Sequence, residues 1–132
     1  MKQKKKLLSK IHQYSAIKSS IDDKLIDFIE KNCEIDFTKV SSIIKNGIMK
    51  YIYTPSQRII WIAIGENDQY LIFPKIYCSC IDFYKNVVIG RKRPCCKHLI
   101  AQCLCEALED YQETFFEDSE FINFINDRKS YI

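Results

Sequence analysis

Leu7, Leu8, Ile11 and Tyr14 recur at the three-to-four-residue spacing of one helix face. Ser20 with Asp23 three positions on reads as the capped start of a second helix, and Ile21, Leu25, Phe28 and Ile29 follow on one side. Asp36 can cap a third helix with the stripe Val40, Ile43 and Ile44, stopped at Asn46-Gly47. Residues 1–47 are therefore expected to be helical. The period changes after Gly47. Ile48 to Tyr53, Arg58 to Ile64 and Gln69 to Phe73 are rich in Ile, Tyr, Trp and Phe, and turn-forming residues separate them. They predict a three-stranded antiparallel meander over residues 48–74. The middle run is apolar on both parities, so it belongs at the centre of the sheet with both faces covered, and Trp61 reads as a core anchor. Pro74 closes the sheet. From Lys97, the residues Ile100, Cys103, Leu104, Ala107, Leu108 and Tyr111 trace another helical stripe. Phe121, Ile122, Phe124 and Ile125 predict a last helix from Asp118 to Asp127, inside a helical C-terminal extension spanning 111–132. The expected fold class is α+β, in a single domain over residues 1–132.

At 132 residues and 47% hydrophobic, the chain can bury a real core. Its net charge of +3 is too small to decide for or against nucleic acid. No apolar run reaches about 18 residues, and the N-terminus has no apolar signal stretch, so neither a membrane partner nor secretion is expected. Three glycines leave no room for a phosphate-cradling loop, which disfavours a nucleotide-driven enzyme. Locally the charge is uneven. Four lysines fall within Met1 to Lys6, which reads as a solvated helix start or a weak phosphate-contacting arm. Five bases and no acids lie from Lys85 to Lys97, whereas seven acids and no bases lie from Glu106 to Glu120.

Cysteine supplies the positive lead. There are seven, an odd number, and six of them fall between Cys78 and Cys105. Without a signal peptide this pattern favours a metal in cytosol or nucleus over a disulfide framework. The string Tyr77-Cys78-Ser79-Cys80, fifteen residues, then Cys96-Lys97-His98 offers three thiolates and one imidazole, a complete tetrahedral shell for Zn2+. In an extended segment residues i and i+2 point to the same side, so Cys78 and Cys80 can reach one ion. On a helix such a pair diverges by roughly 200°. Cys96 should therefore sit just before the helix and His98 in its first turn. Cys95 stands at i, i+3 from His98 and is the alternative third ligand. The site would carry a charge of about −1, offset by Arg91, Lys92, Arg93 and Lys97. Cys103 and Cys105 lie mid-helix and are assigned to packing, as is Cys33. His12 falls on a polar helix side.

This C-x-C, spacer, C-x-H pattern leading into an apolar helix resembles the SWIM zinc finger. With the meander before it and a length near 130, the chain resembles the small stand-alone SWIM proteins of the Shu complex. The motif-level match covers about residues 70–110. The resemblance implies Cys78, Cys80, Cys96 and His98 as zinc ligands and no catalytic residues. It also implies a nuclear role in homologous recombination, in which the protein pairs with a RecA-like recombinase paralogue and promotes recombinase filaments on single-stranded DNA.

The residues themselves can be weighed beside that resemblance. With one of two histidines committed to metal, no cysteine has a free imidazole to activate it, and a closed zinc shell cannot activate water. Catalysis is not expected. Tyr84 beside Lys85, Arg91, Lys92, Arg93 and Lys97 has the aromatic and cationic ingredients of a single-strand platform. Equally, those bases can be a soluble cover that balances the thiolates. Phe115, Phe116, Phe121, Phe124 and Ile125 are either a partner-binding patch or a C-terminal segment folded onto its own core. The expected function is a non-catalytic zinc-binding adaptor. The alternative is a generic SWIM nucleic-acid or protein-binding module outside recombination, such as a transposase-derived remnant.

Overall fold

The computed structural model describes residues 2–127, with side chains from Lys6 to Asn126. Met1 and the last five residues of the expected C-terminal extension lie outside the described residues. Three helices come first: α1 (Lys2–Lys18), α2 (Asp23–Cys33) and α3 (Phe37–Asn46). The cap of α2 is Asp22 and not Ser20. Ser19 turns the chain through φ 55°, and the Asp22 carboxylate accepts the Leu25 N–H at 2.9 Å while Tyr14 O–H donates to it at 3.0 Å. A carboxylate at a helix N-terminus is the stronger acceptor and complements the helix dipole. Asp36 caps α3 through the Thr38 N–H at 3.0 Å. That helix ends at Gly47, whose φ of 120° few side-chain-bearing residues tolerate, and Gly47 N–H donates to Ile43 C=O.

The sheet has five strands, two more than the meander: β1 (Ile48–Thr54), β2 (Arg58–Ile64), β3 (Gln69–Phe73), β4 (Tyr77–Cys78) and β5 (Gln112–Glu117). They lie in the order β4-β3-β2-β1-β5, so β2 is central as its two-sided apolar pattern requires. β5 replaces the first part of the helical extension expected from residue 111: it runs parallel to β1, pairing Ile52 with Phe115 and Lys50 with Glu113, so only Asp118–Asp127 of that stretch is helical among the described residues. Lys50 reaches Glu113 at 3.8 Å and lies over the rings of Trp61 and Tyr111, which meet edge to face.

Alternation along the strands sorts side chains to two faces. Ile48, Trp61, Ala63, Ile72 and Cys78 face the helices, while Tyr53, Ile60, Ile62 and Leu71 form a second, smaller core. α4 (Lys97–Ala107) lies in the middle of the helical layer and touches α1, α3 and the sheet. Every residue from His98 to Cys105 is buried, so this is a helix covered all round and not an amphipathic one. α5 (Asp118–Asp127) closes the second core: Tyr53 packs against Phe116 and Phe121, and Tyr51 against Phe116 and Phe124. No helix among the described residues is long and apolar enough to cross a membrane.

Candidate metal centre

Cys78 ends β4, and the pairing with β3 carries on one residue further. Ser79 N–H donates to Leu71 C=O at 3.0 Å, and Leu71 N–H donates back to Ser79 Oγ at 2.9 Å. That keeps the segment extended, so Cys78 and Cys80 fall on the same side. Cys96 is the N-cap residue of α4, with extended φ −97° and ψ 168°, and His98 stands in the first turn. The His98 ring lies 4.3 Å from that of Tyr70 on β3.

These elements bring one ligand atom each from Cys78, Cys80, Cys96 and His98 within 4.8 Å of one another, all four residues buried. Tetrahedral zinc with Zn–S of about 2.3 Å separates its sulfurs by about 3.8 Å, so the set fits that ion. A second observation agrees. His98 Nδ1 is buried with no hydrogen-bond partner, a cost of about 1–3 kcal/mol that coordination through this nitrogen removes. The Cys95 sulfur lies elsewhere, 3.8 Å from Cys33. Zinc, once bound, supplies a rigid crosslink between the exit of the sheet and the start of α4.

The electrostatics of the sulfurs are uneven. Hydrogen bonds from Cys78 and Cys96 hold Cys80 well below the ordinary thiol range, helped by the Phe83 N–H at 3.3 Å. Its bond to Cys80 pushes Cys78 up, and burial pushes Cys96 up to about 12. Metal binding needs all three ionised, so ion and protons compete for the site. Burial also raises Cys103 and Cys105 to about 12, in keeping with packing thiols.

Between the two ligand pairs the chain is not an open loop. A π-helix spans Phe83–Ile89. Beyond it, Gly90 N–H donates to Lys85 C=O, and Lys92 and Arg93 N–H both donate to Asn86 C=O. Arg93 is engaged internally: its guanidinium grips both oxygens of Asp82 at 2.6 and 2.7 Å, and Asn86 donates to the same carboxylate. Lys97 lines a cleft with Lys39, Ser42 and Asn67. Lys85, Arg91 and Lys92 are exposed, as are Tyr84 and its apolar neighbours Ile81, Val88 and Ile89. The Asp82 clamp escaped the sequence reading, although an acid eleven positions ahead of Arg93 and one turn before Asn86 was a signal for it.

The aromatic residues of the C-terminal segment divide. Phe116, Phe121 and Phe124 pack on the second core, and Ile125 is half-buried. Phe115, on the opposite parity, is 65% exposed. It pairs with Ile52, which in turn pairs with Ile59, itself 46% exposed. The three form an apolar strip across β5, β1 and β2. Ile52 and Ile59 were absent from the expected patch because only the register reveals their alignment with Phe115.

The chain is similar to a protein of Dictyostelium discoideum named Zinc finger SWIM domain-containing protein 7 homolog, with 31% identity over 87 residues. The stretch covers 64% of this chain and 56% of that protein, so the chain spans little more than half the length of the relative it matches. No family model and no solved structure matches the chain. That similarity, together with the cluster of three cysteines and one histidine, supports a SWIM-domain protein that binds zinc.

Proposed function

We propose that this SWIM-type zinc-finger protein is a non-catalytic adaptor in homologous recombination and DNA repair. It pairs in the nucleus with a RecA-like recombinase paralogue and promotes recombinase filaments on single-stranded DNA. The observation that carries the adaptor reading is the buried, four-ligand cluster. Four protein ligands leave no coordination position for substrate or water, so the ion orders the chain and does no chemistry. What it orders is the segment between Cys80 and Cys96, which offers Tyr84 for base stacking and Lys85, Arg91 and Lys92 for phosphate. Arg93, held by Asp82, shapes that segment from within. The partner takes the strip of Phe115, Ile52 and Ile59, while Phe116, Phe121 and Phe124 serve the chain's own core.

Affinity purification from the native host, with metal analysis, tests this reading. A stoichiometric complex with a P-loop ATPase of the RecA type is expected. A folded, zinc-loaded protein that brings down no such partner overturns it and leaves the generic SWIM binding module. On single-stranded DNA, the complex carrying Arg91→Glu and Lys92→Glu should lose about 0.7 of log–log salt slope per phosphate contact removed. An unchanged slope would show that these two bases touch no phosphate.

A further inference from the structure

We propose that Cys33 and Cys95 form a redox pair that closes to a disulfide under hydrogen peroxide, stapling the end of α2 to the residue just before the zinc ligand Cys96. The two are 62 positions apart in sequence, both are fully buried, and the Cys95 thiol donates to the Cys33 sulfur at 3.8 Å. Neither belongs to the four-ligand cluster. A disulfide bond is about 2.05 Å long, so about 2 Å of approach between the sulfurs is needed. The inference rests on Cys96, and not Cys95, being the ligand.

The chemistry balances with peroxide as the two-electron oxidant. The Cys33 sulfur attacks one peroxide oxygen, the O–O bond breaks, and the departing oxygen leaves as water after taking up a proton. The Cys33 sulfenic acid is then attacked by the Cys95 sulfur; the S–S bond forms, the S–O bond breaks and a second water departs. Two thiols and one peroxide thus give one disulfide and two waters. The closed loop contains α3, β1 to β4 and the ligands Cys78 and Cys80. Closing a loop of that length restricts the unfolded chain, so the oxidised fold depends less on its ion.

The test is peroxide titration of the zinc-loaded wild-type chain, followed by alkylation and non-reducing peptide mapping by mass spectrometry. A Cys33–Cys95 crosslinked peptide is expected first, with the zinc content unchanged and the melting temperature raised by several degrees. The oxidised protein should also stay folded at a chelator concentration that unfolds the reduced one. Disulfides among Cys78, Cys80 and Cys96 with zinc release, while Cys33 and Cys95 remain open to alkylation, would overturn the proposal. So would a crosslink that leaves melting and chelator resistance where they were. Cys33→Val, which retains an apolar side chain at a buried site, should keep zinc and lose the crosslink.

Discussion

On one face of the sheet Trp61, Ala63, Ile72 and Cys78 meet α4 and its flanking helices, in a cluster of twenty-two buried residues. On the other, four buried residues lie beneath the half-buried Phe116, Phe121 and Phe124. The larger core is also the one that holds all seven cysteines and the buried His98. Ionised sulfurs are costly to bury unless something offsets their charge. The smaller core asks nothing of an ion, being built from stacked and edge-to-face rings. Size and self-sufficiency are thus expected to be inverted: the bigger core should depend on zinc and the smaller one should not.

The largest effect should come from breaking that condition. Cys80→Ala or His98→Ala should release zinc and unfold or aggregate the chain, read by metal analysis and a circular-dichroism melt. Structural zinc is worth about 10–16 kcal/mol in apparent binding, against a net domain stability of about 5–15 kcal/mol, so no fold should survive its loss. A metal-free variant with a native melt would show the larger core standing unaided. Acid should act by the same route. The ligands bind deprotonated, so the folded, metal-bound state loses stability as pH falls. Added free zinc should push the acid midpoint to lower pH, whereas a transition driven by carboxylates would ignore it.

Thinning the other face should be milder. Phe121→Ser with Phe124→Ser removes half-buried rings, at about 1–2 kcal/mol each. Chemical denaturation should register that loss while the zinc content stays full. Loss of metal in this variant would mean the two cores are energetically one. Smaller again is the clamp within the zinc-bounded segment. Arg93→Ala breaks a partly exposed ion pair worth about 1 kcal/mol or less, and faster amide exchange from Phe83 to Arg93 should report it.

How much of this was legible beforehand follows the same division. The spans of β2, β3 and α5, the stop at Gly47 and the place of Cys96 as the residue capping α4 agree with the pattern of turns and apolar positions. These are local features, set by residues a few positions apart. β5 was not legible, because its acidic sequence pairs with a strand some sixty residues earlier, where Lys50 reaches Glu113 and lies over the Tyr111 ring. β4 is two residues long and exists only through its pairing with β3. The π-helix over Phe83–Ile89 was not legible either, since no apolar stripe of helical period marks it. α4 misled differently: a stripe was visible, but burial on every side depends on α1 and α3 arriving from elsewhere. Choosing between Cys95 and Cys96 likewise required Cys33, contributed by a distant helix.

The gentlest test lies inside the helical layer, where zinc and local capping can be compared directly. Asp22 accepts from Leu25 N–H, the chief reason its carboxyl sits below the usual value of 3.8, and it also takes the Tyr14 hydroxyl. Its folded pKa is depressed, so its contribution is complete above the unfolded value and is lost as pH falls through the folded one. At neutral pH, Asp22→Ala should lower the zinc-loaded melt by only a few degrees, and Asp22→Asn by less, since the amide oxygen can still cap α2. Because the cap is only half-buried and is not one of the four buried ligands, neither variant should change the zinc content. A fall in zinc stoichiometry on losing the cap would tie the start of α2 to the metal site some sixty residues away, and the layer would then be held by more than its ion.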